Sequence, residues 1–293
     1  MVGKKTVIMT VAIIIIATVG VNIILFNLSP SDGLKIIDHN CTDITVISTF
    51  AIEQAKDTLH VAYGHTSHGS QLITGMNGLD AFMGGSGLYV WNDGPLEGYL
   101  DIDDYFMGGD LGNPDRTTWA DRTRTYLNNP ANSDVNVVIW SWCGQVSSAT
   151  EEDINTYLSL MVTLELEYPN VTFIYMTGHL DGGAPGCNLH TRNQQIRDYC
   201  IANNKWLYDF EDIESYDPDG YFYKNKYCND NCSYDSNNDT IRDSNWATNW
   251  QASHVEGVDW YTCSPAHTQA LNGNLKAYAA WWLFARVAGW AGP

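Results

Sequence analysis

Leu59-His60-Val61-Ala62-Tyr63-Gly64-His65-Thr66-Ser67-His68-Gly69 is the stretch on which the fold turns. Its first five residues form a short, mostly apolar run that reads as a buried strand, and Gly64 ends it. The polar residues His65 to Gly69 then read as a tight turn, and Leu72, Ile73, Met76 and Leu79 recur beyond it at helical spacing. The predicted unit is strand, turn, helix, with Ser67 in the turn.

The same alternation continues down the chain. Residues 135–142, 171–176 and 206–209 read as further strands. Helices are expected at residues 119–127, at 151–167 with an acidic first turn that suits the helix dipole, at 192–202 and at about 268–288. Residues 83–114, rich in Gly and Asp and without periodicity, read as a long surface connection. Strands alternating with helices predict an α/β fold, a parallel sheet with helices on both faces, and such sheets bind ligands beyond the carboxyl ends of their strands. That rule selects the turns at residues 64–70, 143–145 and 177–179 and the residues after Asp209, with His267 arriving from the far end of the chain.

Composition sets the compartment and excludes some partners. The chain has 293 residues, 44% of them hydrophobic, enough for one sizeable core, and it shows no internal repeat. Its net charge of -19 repels phosphate backbones, so no nucleic-acid partner is expected. Lys4 and Lys5 precede an almost wholly apolar run over residues 6–26, long enough to cross a bilayer at about 1.5 Å per residue. Residues 1–30 are therefore expected to act as a membrane anchor or a signal peptide, the missing small-x-small cleavage site favouring the anchor. Residues 31–293 would then form one domain outside the cell, secreted or held at the surface. Sequons at Asn27, Asn40, Asn170, Asn231 and Asn238 agree with that compartment. The seven cysteines, an odd number without a CxxC pair, predict one to three disulfides and a free thiol, with Cys228 and Cys232 close enough in sequence to close a small loop.

Near the C-terminus, Ser264-Pro265-Ala266-His267 is followed by Gly273, Ala277-Tyr278-Ala279 and Trp281-Trp282. This block resembles the D-x-x-H-P-x-x-x-G and aromatic last helix of the SGNH (GDSL-like) hydrolase superfamily. Trp206-Leu207-Tyr208-Asp209 is similar to the strand that ends in Asp in that family, and Gly64 to Gly69 stands for its G-D-S as an H-x-S-x-G variant. Over about residues 58–290 the resemblance implies a flavodoxin-like three-layer α/β/α sandwich with a mostly parallel sheet. It also implies a serine esterase with Ser67 as nucleophile, Ser70 as runner-up, and His267 as base. The oxyanion-hole glycine would fall in Gly108-Gly109-Asp110-Leu111-Gly112, at Gly112, and Gln145 in Trp142-Cys143-Gly144-Gln145 would replace the family's Asn. Ser264 stands where the family has its Asp, which leaves three options: Asp259 or Glu256 as the acid, a Ser–His dyad, or an inactive site.

A serine hydroxyl attacks an ester only when a base takes its proton, and an imidazole with a pKa near working pH is suited to that. His65 and His179 are expected to position substrate. Alternatively, His65, His68 and His179 form an imidazole metal site for a metal-dependent hydrolase. A third reading is a non-catalytic module for glycan binding or assembly on the same fold. Tyr89, Trp91 and Tyr105 are candidate platforms for sugar rings, which makes acylated carbohydrate a candidate substrate. In the acidic insertion at about residues 215–262, Asp235, Asn237, Asp239, Ile241 (through its carbonyl) and Asp243 alternate as in a calcium loop and resemble the first nine positions of an EF-hand. Thr240 replaces the turn glycine there and Trp246 the bidentate Glu, and any Ca2+ held would be structural; no organic cofactor is expected.

Overall fold

The computed structural model describes residues 35–293, so the apolar segment and the Asn27 sequon lie outside the described residues. In chain order the elements are β1 (Ile36–Ile37), α1 (Thr49–Thr58), β2 (His60–Gly64), α2 (Ser70–Phe82), β3 (Trp91–Asn92), β4 (Leu100–Asp104) and α3 (Thr118–Leu127). There follow β5 (Val137–Trp140), α4 (Glu151–Glu167), β6 (Thr172–Met176), α5 (Asn188–Ala202), β7 (Leu207–Tyr208) and α6 (Phe210–Ile213). The chain ends through β8 (Ser233–Tyr234), β9 (Ser244–Asn245), α7 (Trp246–Ser253) and α8 (Ala270–Val287).

Seven strands make one sheet in the order β1-β7-β6-β5-β2-β4-β3, and every pairing in it is parallel. Without the two-residue edge strands β1 and β3, the order is that of a flavodoxin-like sheet: the first strand, β2, lies between the second, β4, and the third, β5. The strand pleat divides the core in two. Val61, Tyr63, Val137, Ile139, Ile174 and Met176 pack with α1, α2 and α8 on one face. Ala62, Val138, Trp140, Phe173 and Tyr175 pack with α3, α4 and α5 on the other, completing a three-layer α/β/α sandwich. α2 and α8 meet with their backbones close together, and a Cβ on Gly75 would collide with the Gly273 carbonyl. α8 is buried almost all round, and side chains such as Trp281 and Phe284 stabilise it by roughly 1.5–3 kcal/mol each.

The reading of residues 83–114 as a surface connection is corrected: β3 and β4 lie within it, and β4 is the direct neighbour of β2. In Leu100-Asp101-Ile102-Asp103-Asp104 the apolar residues are 0% and 1% exposed, while Asp101 and Asp103 turn to the other face. His60 of β2 gathers them, with Nε2 at 2.9 Å from Asp103 Oδ2 and 3.7 Å from Asp101 Oδ2, and Nδ1 at 3.2 Å from Asp134 Oδ2. Burial alone would lower the His60 pKa, but the hydrogen bond to Asp103 and the surrounding carboxylates outweigh it and raise the value to about 9. A raised folded-state pKa stabilises the fold fully below the unfolded value of 6.5, and that contribution is lost as pH rises through about 9. His60→Gln is therefore expected to lower Tm most at pH 6, with the gap to wild type closing towards pH 10. Thermal unfolding followed by circular dichroism across that range tests this, and a pH-independent gap would sink it.

All seven cysteines are free thiols in the structure, where one to three disulfides were expected. Cys41 and Cys200 are buried in separate cores on opposite faces of the sheet and cannot meet. Cys228 and Cys232 share one core but point elsewhere, towards the Asn229 carbonyl and the Thr268 hydroxyl. The four described sequon asparagines, Asn40, Asn170, Asn231 and Asn238, are all exposed. Among the described residues no helix is long and apolar enough to cross a membrane.

Candidate active site

The turn after β2 is fixed from several sides. The Tyr63 hydroxyl donates to the Gly69 carbonyl at 2.9 Å, and Thr66 Oγ1 donates to Asp110 Oδ2 at 2.7 Å. A Cβ on Gly69 would strike the Ser141 hydroxyl and the His65 side chain, so only glycine lets the turn sit against β5. Ser70 opens α2 and spends its hydroxyl on the Ser67 carbonyl at 2.7 Å, which leaves Ser67 as the free hydroxyl of the pair. Ser67 is half-buried, and its Oγ lies 3.0 Å from His267 Nε2 across 200 residues of sequence.

His267 is exposed and holds a left-handed backbone, φ 63°, a conformation that costs a non-glycine residue of order 1–3 kcal/mol. Its position is enforced from below. Gln71 Nε2 donates to the Ala266 carbonyl at 2.6 Å, Lys276 Nζ donates to Gln71 Oε1, and Lys276 pairs with Glu214 at 2.7 Å. Glu214 also accepts from the Leu180 N–H, so α2, α8, the end of β6 and the His267 loop share one buried network.

Among the described residues no carboxylate pairs with His267. Asp259 accepts from the Val255 N–H and Glu256 pairs with Trp260 through its backbone, and both residues are exposed. The His267 ring lies instead on His68, with centroids 4.5 Å apart, and His68 stacks on His179 at 3.7 Å with planes 2° from parallel. His68 is held at both nitrogens: Nδ1 is 3.0 Å from Cys143 Sγ and Nε2 is 3.0 Å from Asp230 Oδ2. Burial opposes its charge, yet the bonds to Asp230 and Cys143 raise its pKa to about 9. The hydrogen bond to His68 lowers the Cys143 thiol to about 7. Burial and the His68 charge push His179 down to about 4. Asp230 is held below the usual carboxylate range because its hydrogen bond to His68 and the His68 charge overcome burial.

The other residues singled out in the sequence fall around this centre. His65 faces β4, bonding Asp104 Oδ1 through Nε2 at 2.7 Å and approaching the Thr66 carbonyl at 3.0 Å through Nδ1. His179 places Nδ1 at 2.7 Å from the Leu180 carbonyl, and its Nε2 has no partner. Gly112 and Gln145 meet at Asp110, whose Oδ1 accepts from the Gly112 N–H at 2.8 Å and Gln145 Nε2 at 3.0 Å. Gln145 Oε1 in turn accepts from the Cys143 N–H at 2.9 Å, so this trio shapes the turn that carries Cys143. Asp209 is taken up by Arg197 and Thr177. Of the aromatic candidates, Tyr89 is a core residue against Trp281, Trp91 is half-buried and bonds Asn77, and Tyr105 is exposed beside His65.

The three-histidine metal set does not assemble, because His65 is spent on Asp104. His68, His179 and Asp230 do have ligand atoms within 4.8 Å of one another. An imidazole lone pair lies in its ring plane, however, and two parallel stacked planes have no common point where one ion could meet both. In the insertion, Asp235 is buried and accepts from the N–H groups of Asn237, Asn238, Asp239 and Thr240. The side chains of Asn237, Asp239 and Asp243 converge, with Asn237 Nδ2 at 3.3 Å from an oxygen of each aspartate, while the Ile241 N–H donates to Asp239.

Two residues of this centre were not assigned a role from the sequence. Cys143 lay in a turn already marked as a strand end, where attention went to Gln145 two residues on. Asp230 sits in the insertion, far from any strand end, and only three-dimensional packing brings it to His68. Comparison of the chain with protein-family models, with curated proteins and with solved structures finds no match.

Proposed function

We propose that this chain is an extracellular serine esterase of the SGNH type that removes acyl groups from carbohydrate. The observation that carries the reading is the 3.0 Å approach of His267 Nε2 to Ser67 Oγ at the carboxyl end of β2. Ser67 attacks the ester carbonyl as His267 takes its proton, and His267 returns that proton to the departing alkoxide. Water then repeats the sequence to release the acid. With no carboxylate on His267 among the described residues, the pair works as a Ser–His dyad, its imidazole stacked on the His68 ring 4.5 Å away. Exposed Tyr105, beside His65 at the start of the same turn, offers an aromatic face for a sugar ring. A fluorophosphonate that modifies Ser67 in the folded protein supports this reading, and a folded protein that neither takes the label nor turns over p-nitrophenyl acetate favours a glycan-binding module instead.

Calcium in the insertion belongs to the same proposal, as a structural ion. The converging Asn237, Asp239 and Asp243 side chains would supply hard oxygen ligands once the Asn237 amide presents its oxygen. Millimolar Ca2+ is expected to raise Tm by a few degrees in wild type and not in Asp239→Ala. Identical melting curves with Ca2+ and with chelator would remove calcium from the account.

A further inference from the structure

Beside Ser67 and His267 the His68 ring connects a thiol to a carboxylate, with Cys143 Sγ at 3.0 Å from one nitrogen and Asp230 Oδ2 at 3.0 Å from the other. Nucleophile, base and orienting carboxylate in that sequence are the arrangement of a thiol hydrolase, recognised by geometry and not by order along the chain. The three arrive from separate stretches: His68 from the turn after β2, Cys143 from the turn after β5, and Asp230 from the insertion. His68 is only 8% exposed, and His179 and His267 stack against its ring, so it is held in register. Cys143 stays half-exposed, with Sγ 4.0 Å from Ser67 Oγ, where an acyl group bound for the serine is also within reach of the thiol. A structural cysteine behaves differently. Cys41 is buried among apolar side chains, and burial pushes its thiol up to about 12, whereas Cys143 is shifted in the opposite direction.

We propose that Cys143, His68 and Asp230 form a second, thiol-based acyl-transfer centre in this cleft, which takes the acyl group of an ester or thioester onto Cys143 Sγ. The proposal rests on the cleft's being an acyl-binding site, but not on Ser67 as its nucleophile. The thiolate attacks the carbonyl carbon and a C–S bond forms. The bond to the leaving alkoxide or thiolate breaks, and the leaving group takes the proton from His68 Nδ1. Water then adds to the thioester carbonyl while His68 takes a proton from it. The C–S bond breaks, the acid leaves, and the thiolate–imidazolium pair is restored. Asp230 keeps the ring oriented throughout.

The test is acid quenching of the full-length protein, purified in mild detergent, shortly after mixing with p-nitrophenyl acetate, followed by peptide mass spectrometry. Iodoacetamide labelling between pH 5 and 10 is run alongside. In Ser67→Ala, an acetyl group is expected on Cys143, and in Ser67→Ala/His68→Gln it is expected to be absent. Cys143 alkylation is expected to have its midpoint near pH 7, as its thiol does, and to move up by at least one unit in His68→Gln. Asp230→Asn, which keeps the His68 ring in place, is expected to move it less and in the same direction. No acetyl on Cys143 in folded Ser67→Ala, with Cys143 alkylated no faster than Cys263, would overturn the proposal. Acetyl on Ser67 alone in wild type would overturn it too and leave the serine esterase standing. Acetyl on Cys143 with turnover undiminished in Ser67→Ala would do the reverse, upholding the thiol centre and ending the serine reading.

Discussion

Ser67→Ala is expected to lower kcat/KM for p-nitrophenyl acetate through the serine route by about 10⁴- to 10⁶-fold, and His267→Ala by a similar factor. The size follows from the way nucleophile and base work as one unit. Without His267 the hydroxyl keeps its proton at neutral pH, and without Ser67 the imidazole has nothing to activate, so either loss removes nearly the whole gain. The double variant should therefore be no slower than either single variant, which separates a catalytic pair from two residues that merely shape the cleft. The initial burst and steady state of p-nitrophenol release measure all three, with turnover that survives in Cys143→Ala assigning the rate to Ser67. Losses below tenfold in both single variants, or losses that multiply in the double variant, would rule out the dyad.

Much of the ordering was legible because β2, β5, β6 and β7 carry apolar runs and the helices that follow them apolar positions at helical spacing; 151–167 is read to the residue as α4, whereas α1 and α7 were not expected. β4 was hidden for a physical reason. Its Asp101, Asp103 and Asp104 look like a solvated loop, and they are accepted into a sheet because two histidines meet them, His60 of the neighbouring strand at Asp101 and Asp103, and His65 just beyond that strand at Asp104. Sequence shows each of those charges but not that they are adjacent. The same distinction divides the candidate site. Ser67 was marked locally by a strand end, whereas His267 was named through the C-terminal block that resembles the SGNH family. The carboxylate of Asp230 and the thiol of Cys143 acquire meaning only through His68, whose two nitrogens join segments 162 and 75 residues away. Cysteine pairing is illegible for a related reason, since spacing along the chain says nothing about which face of the sheet a cysteine enters.

Lys276→Met is expected to be the most destabilising single change among the residues that support the site, at about 3–5 kcal/mol, because it leaves the Glu214 carboxylate buried without its partner. Lys276 and Glu214 are 0% and 1% exposed, so water cannot replace the lost pairing. Burial already pushes the Glu214 pKa above its usual value even with the ammonium present. Gln71 Oε1 would lose its donor too, and Gln71 is the residue that holds the Ala266 carbonyl next to His267. For a domain of this size the loss corresponds to a fall in Tm of roughly 6–20 °C. Lys276→Met/Glu214→Leu removes the stranded charge and is expected to recover part of that fall, although the Leu180 N–H and Gln71 remain without their partners. Calorimetry of the single and double variants, with esterase rates taken well below the lower Tm, then divides two effects. Stability that returns while activity stays low means the network positions His267, and a single variant that melts within 2 °C of wild type would show that the buried pair supports neither fold nor site.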